Sequence, residues 1–250
     1  ARESQEALQA AEAMWRIGES FASRPELIAH LIVAAKLKLI VGLLRKIDDP
    51  AFGWESRLRE RGFFRAFLVA IQNDPWPAAS DPEMQPSIEV MTRIYRRFAD
   101  SLVEVEACEW TTDSLQHSFD VAKSGENGPE QVLMEIATPN FVSMVLRWRK
   151  VLLDSELTAL VLQARGEKAA SREGAWPPKL LDLESEVCPR SFYTYKRNGG
   201  VVIAFEGKAP GEEQGSLKLP MTFRGAPPPT PTPTTTPTPA VTPTPTRIPR

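Results

Sequence analysis

Residues 27–44 read LIAHLIVAAKLKLIVGLL. A run this long and apolar suits either a membrane span or the central helix of a globular body. Lys36 and Lys38, near its middle, favour the second: a lysine at the centre of a span costs about 3 kcal/mol. In a globular helix the lysine stems lie along the surface and the ammonium groups reach water. The stretch is therefore expected to be a buried helix. Ser23-Arg24-Pro25-Glu26 reads as its start, with Ser23 as cap, Pro25 in the first turn and Glu26 completing a capping box. Asp48-Asp49-Pro50 ends it. Leu27, Ile28, Leu31, Ile32, Ala35, Leu39, Leu43 and Leu44 form one apolar set; Val33, Leu37, Ile40 and Val41 form a second. Two faces predict cover on two sides. His30 reads as a packed histidine rather than a ligand.

The flanking sequence supplies partners for such a helix. Residues 2–22 carry Leu8, Ala11, Met14, Trp15, Gly18 and Phe21 at helical spacing. A shorter helix starts near Trp54, and Gly62 interrupts it before Phe63, Phe64, Phe67, Leu68 and Ile71. Asp74-Pro75-Trp76-Pro77 stops the chain. Another helix is expected over 87–109. Residues 111–129 predict one or two helical turns around Leu115 to Val121, then the loop Ser124-Gly125-Glu126-Asn127-Gly128-Pro129. A short helix from Glu130 should end at Thr138-Pro139, and a long one should run from Asn140 to Ala170. At Gly174 the pattern changes. Phe192-Tyr193-Thr194-Tyr195 alternates, Asn198-Gly199 signals a hairpin, Val201 to Phe205 reads as the return strand, and Leu217, Leu219, Met221 and Phe223 suggest a third. No internal repeat emerges: Trp15-Arg16-Ile17-Gly18 is similar to the opening of a tetratricopeptide repeat, but no second copy follows.

The expected fold is mainly α, an irregular helical bundle or helical-hairpin array of about seven helices. A small C-terminal antiparallel β hairpin or three-stranded sheet and an extended Pro/Thr tail complete it. The divisions are a helical body over 1–173, a β unit packed on it over 174–225, and the tail over 226–250.

Composition narrows the function classes. Thirty Lys+Arg against 32 Asp+Glu leave a net charge of −2 over 250 residues, without the field that a nucleic-acid binder uses. Arg93, Arg96, Arg97 and Arg147, Arg149, Lys150 are expected on solvated helix faces. Cys108 and Cys188 are the only cysteines, with no CxxC and two histidines, so a zinc site is not expected. Either they form one disulfide, which would stabilise the fold by about 4 kcal/mol on the chain-entropy model, or they are two buried thiols. The sequence holds no P-loop, GxGxxG, HExxH, EF-hand loop or GxSxG elbow. His117 lies among Asp113, Ser114 and Ser118 without such an elbow. Glu104, Glu106 and Glu109 cluster, but a carboxylate pair works only in divergent environments, which local spacing does not show. Trp76, Trp110, Trp148 and Trp176 read as core edges rather than a sugar-binding surface. No catalytic, cofactor or metal residues are expected.

The tail is the most specific local signal. Ten of the 23 prolines lie between Pro227 and Pro249, interleaved with Thr230, Thr232, Thr234, Thr235, Thr236, Thr238, Thr242, Thr244 and Thr246. Pro and Thr keep the backbone extended and the hydroxyls exposed, which suits O-linked glycosylation. The plainer reading is an unmodified spacer, and both place the tail outside the cytoplasm. The opening ARESQEALQ is polar, so an export segment is expected to be removed or to lie outside this chain.

Several stretches carry a resemblance: Asn127-Gly128-Pro129, Val132 to Phe141 (VLMEIATPNF), Glu156 to Arg165 (ELTALVLQAR), Gly174-Ala175-Trp176-Pro177 and Leu180-Leu181, with Arg24 to Ile28 and Trp54 to Leu58 upstream. Over about residues 10–206 the chain resembles a family of uncharacterised envelope-anchored helical proteins of planctomycete- and acidobacterium-like bacteria. That resemblance implies an exported, membrane-tethered helical body and transfers no catalytic residues. The C-terminal part more loosely resembles type II secretion pseudopilins, where a helix leads through a Gly-x-Trp/Tyr-Pro turn into a small sheet. It lacks their N-terminal apolar helix with its acidic residue. It has Cys188-Pro189-Arg190-Ser191-Phe192 where they have an Asp-Pro-Phe/Trp turn, and it lacks the closing acidic glycine loop, so calcium binding is not carried over. The expected function is a non-catalytic envelope or surface structural protein (periplasmic, cell-surface or extracellular), a subunit of an assembly. It would associate with itself or another envelope protein, without nucleic acid, and meet the membrane only through a segment not in this chain. The alternative is an adaptor that binds a partner protein or peptide in a groove between helical hairpins; a large exposed apolar groove would favour it. An enzyme would need His117 and an acid converging in a deep pocket.

Overall fold

The computed structural model describes residues 2–24, 26–48, 51, 53–73, 85–104, 110–125, 129–181, 183–197, 200–206 and 222–225. Among them the chain is mainly helical: α1 (Arg2–Ala22), α2 (Leu27–Lys46), α3 (Trp54–Arg59), α4 (Gly62–Asn73), α5 (Gln85–Glu104), α6 (Thr112–Lys123) and α7 (Pro129–Ala170). A small antiparallel sheet follows: β1 (Phe192–Arg197), β2 (Val201–Glu206) and β3 (Thr222–Gly225), in the order β1-β2-β3. Arg197 opposes Val201 in the hairpin, and Ile203 opposes both Tyr195 and Phe223. The tail threonines, Trp76, Cys108, Glu106, Glu109, Pro25, the loop 126–128, Asn198-Gly199 and residues 217–221 lie outside the described residues.

The helical core assembles around aromatic rings. Trp15 of α1 meets Trp54 of α3 edge-on at 5.6 Å and Phe63 of α4 at 4.7 Å. Gly18, one turn on, lets α1 approach that ring: a Cβ there would sit 3.4 Å from Phe63 Cζ. Phe67 of α4 stacks on Trp148 of α7 at 5.2 Å. Phe98 of α5 meets Phe119 of α6 at 5.0 Å. All four of Phe67, Phe98, Phe119 and Trp148 are fully buried.

α7 joins this core to the sheet. Its first half contributes Val142, Val145 and Trp148 to the helical core, and its second half packs Leu157, Leu160, Val161 and Ala164 against Trp176, Tyr193, Val201 and Ile203. Every residue from Val151 to Leu162 is buried. Gly225 is required where β3 crosses Trp176, because a Cβ there would fall 2.5 Å from Trp176 Cζ2.

Local readings are corrected at five places. The N-cap of α2 is Glu26 with no side-chain cap, and Ser23 Oγ instead donates to the Ser20 carbonyl at 3.0 Å. The break before α4 turns on Arg61, held left-handed at φ +50°, and Gly62 is already the first residue of that helix. α6 runs for 12 residues rather than a turn or two, because Thr111 and Ser114 form a reciprocal capping box. The helix expected to stop at Thr138-Pro139 continues through it. An interior proline removes one backbone bond, from its own missing N–H to the carbonyl four residues earlier. Pro139 and Glu135 are both exposed, so the missing bond falls on the solvent side of the helix. Finally, α2 is not covered on two sides. Its buried face is Ala29, His30, Val33, Ala34, Leu37, Ile40, Val41 and Leu44, while Ile28, Leu31, Ile32, Ala35 and Leu39 stay exposed.

Candidate functional site

That uncovered stripe borders a cavity. Leu31, Ala34, Ala35 and Lys38 of α2 recur at i, i+3, i+4 and i+7, and so share one helix face. Opposite them stand Met144, Trp148, Val151 and Asp154 of α7, with Arg147 and Lys150 beside them. Between the two helices lies a cavity of about 550 Å³. The small side chains of Ala34 and Ala35 leave this space open: two helices packed with larger residues there would interlock ridge into groove. The cavity opens onto the aliphatic stripe, where Ile28 is 70% and Leu39 63% exposed. Lys38, Arg147 and Lys150 give its rim positive charge.

The opposite end of the α2–α7 contact is closed by charge. Arg45 Nε donates to Thr158 Oγ1 at 2.7 Å, and its Nη2 donates to the Asp154 carbonyl at 2.6 Å and to Asp154 Oδ1 at 3.0 Å. Arg165 donates at 2.8 Å to the carbonyls of Leu44 and of Arg45, satisfying acceptors that the C-terminus of α2 leaves open. Burial holds the Asp154 carboxyl above the ordinary carboxylate range, although Arg45, Lys150 and Lys38 oppose the shift. Asp154 is thus shared: Oδ1 belongs to the closed end, while the residue also lines the cavity. Its Oδ2 and Trp148 Nε1 are buried without a hydrogen-bond partner.

A second buried cluster fastens the sheet. Glu156 accepts from Ser185 Oγ at 2.6 Å, the Val187 N–H at 2.8 Å, Tyr193 OH at 3.1 Å and Arg61 Nη2 at 3.3 Å. Burial and the Glu156 charge push the Tyr193 hydroxyl far above its usual range. These donors saturate the carboxylate inside the fold, so the cluster serves as a structural latch.

The residues singled out from sequence scatter. His30 is buried, its Nε2 2.9 Å from the Arg24 carbonyl, and burial holds its pKa below the ordinary value. His117 is exposed on α6 and does not line the α2–α7 cavity. Trp110, Trp148 and Trp176 are buried. Arg93, Arg96, Arg97 and Arg147 are exposed, but Arg149 is not. Its Nη1 donates to the Trp110 carbonyl, and burial pulls its pKa down to about 10; α7 turns it into the core while Arg147 stays exposed and Lys150 is half-buried. Cys188 is buried and disulfide-bonded. No cluster of metal-ligating side chains occurs among the described residues.

Sequence reasoning missed the cavity itself. Its residues were all visible as helix faces, but nothing local marked which face would remain uncovered. α2 is the one described helix long and apolar enough to cross a membrane, and 44% of its apolar window is buried in the fold. The chain matches no known family model, and no characterised protein or solved structure shows significant similarity to it. The two resemblances therefore rest on the residues quoted for them.

Proposed function

We propose that this protein is an exported, non-catalytic adaptor that holds a segment of a partner protein in the α2–α7 groove. The observation that carries the reading is the open cavity continuous with an exposed aliphatic stripe. Contiguous exposed apolar surface with a charged rim is how partner-binding grooves differ from ordinary surface. Self-assembly, the other expectation, is served less well by this surface. A two-fold groove-to-groove contact would set Lys38, Arg147 and Lys150 against their own copies. Export is supported by the disulfide at Cys188, since such bonds persist in oxidising compartments, and by the Pro/Thr tail, which would act as a spacer or glycan-bearing coat.

The test is photocrosslinking in intact cells of the native host. A benzophenone amino acid at Ala35 should give discrete adducts. The same probe at Val121, exposed on α6, should not. Equal labelling at both positions, or none at Ala35, would sink the groove reading. Intact mass under non-reducing conditions tests export separately: hexose-sized additions lost on deleting residues 227–250 are the expected result.

A further inference from the structure

Resting on that groove reading, we infer that the bound segment is an acidic amphipathic helix, which lays aliphatic side chains into the α2–α7 cavity and carboxylates onto Lys38 and Arg147. Three observations point there. The first is shape. Both walls are helices, and the uncovered stripe from Ile28 to Leu39 spans about 16 Å at 1.5 Å per residue. This is about three turns of a helix lying alongside, and a third helix completes the packing that Ala34 and Ala35 leave unfinished. The second is charge. The rim carries Lys38 and Arg147, whereas the acid in its lining, Asp154, is buried and bonded to Arg45. A basic helix would meet like charge on both sides; an acidic one would not.

The third is the character of the stripe. Its exposed large side chains are Ile28, Leu31, Ile32 and Leu39, all aliphatic. Surfaces that lie on bilayers characteristically add Trp or Phe, and they do not need a concave cavity. A helix carrying Leu or Ile at i, i+3/i+4 and i+7 fits both the stripe and the cavity.

The experiment uses the full chain and three fluorescein-labelled 18-residue peptides. One is an amphipathic helix with Leu on one face and Glu on the other. The second replaces every Glu with Lys. The third is the acidic peptide with two central prolines. Fluorescence anisotropy should show the acidic helix binding about tenfold tighter than the basic one at low salt. The gap should narrow as salt rises, and the proline peptide should bind more weakly than its parent. In Arg147→Glu the preference for acid should fall or invert. Lys38→Gln, a milder change, should weaken the acidic peptide alone, and an unchanged circular dichroism spectrum certifies both folds.

If the basic helix binds as tightly as the acidic one, this inference fails and the groove reading stands. Should neither helix bind while crosslinks still form at Ala35, the occupant is not a helix, and the inference fails again. Loss of both peptide binding and crosslinks overturns the groove reading itself. Two further results would overturn the acidic helix: sedimentation with phosphatidylglycerol vesicles that the acidic peptide does not displace, or a dimer that Arg147→Glu dissolves.

Discussion

The same two helices meet twice, and the two meetings differ. Toward the C-terminus of α2, Arg45 reaches across to α7 and Arg165 of α7 reaches back to α2, in five hydrogen bonds of 2.6 to 3.0 Å. Two turns earlier, Leu31, Ala34, Ala35 and Lys38 face α7 across a cavity of about 550 Å³. Neither end is simply the more apolar. The closed end uses long side chains whose polar tips are anchored across the helix pair; the open end uses alanines, too short to fill the space, with an exposed Arg147 at its rim. A helix pair is sealed by side-chain length and by the availability of partners, not by hydrophobicity alone.

Breaking the closed end should have the largest effect. Arg45→Ala leaves Asp154 buried without its cation and should cost about 3–5 kcal/mol in chemical denaturation. The double replacement Arg45→Met with Asp154→Leu should return to within about 1 kcal/mol of the parent, because it removes the desolvation penalty together with the pair. A cost below about 1 kcal/mol for Arg45→Ala would mean that the closed end is held by packing alone.

Matched alanines sharpen the contrast. Ala159→Leu, in the filled part of α7, should cost about 1–3 kcal/mol through overpacking. Ala34→Leu places the same extra volume beside the cavity and should cost less than about 1 kcal/mol. Equal costs at the two sites would show that the open end closes in solution.

A smaller effect concerns pH. His30 sits one helical turn before Ala34, and its folded pKa lies below the ordinary 6.5 because burial disfavours the imidazolium. As pH falls below 6.5 the unfolded chain binds the proton first, so stability should fall with acidification until the folded pKa is passed. The slope can reach about 1.4 kcal/mol per pH unit. His30→Phe should flatten the profile in that window when midpoints are compared from pH 7 to pH 5, and identical slopes would remove His30 from the account. Least of all, Leu39→Ser on the exposed stripe should change stability by less than about 0.5 kcal/mol. A larger loss would place Leu39 under cover in solution.

Much of this architecture could be read locally. The apolar period of 27–44, the stripes of α1, α5 and α7, and the alternation around Tyr193 and Ile203 gave their elements, since burial on one face repeats with the period of the element. Pro139 misled because the rule that proline ends a helix assumes the lost hydrogen bond is unaffordable; on the exposed side of a long, packed helix it is tolerated. Arg149 misled because charge suggested solvent, whereas its place on α7 put it beneath Trp110.

By itself, then, the sequence determined a mainly helical body with a small C-terminal sheet, and it excluded the common catalytic motifs. Tertiary structure alone decided which face of α2 is uncovered, and that Asp154, Arg45 and Thr158 meet although more than one hundred residues separate Arg45 from the other two. The reason is physical. Periodicity records that a residue lies on a face, but the cover over that face comes from helices distant in the chain, whose packing no local pattern encodes.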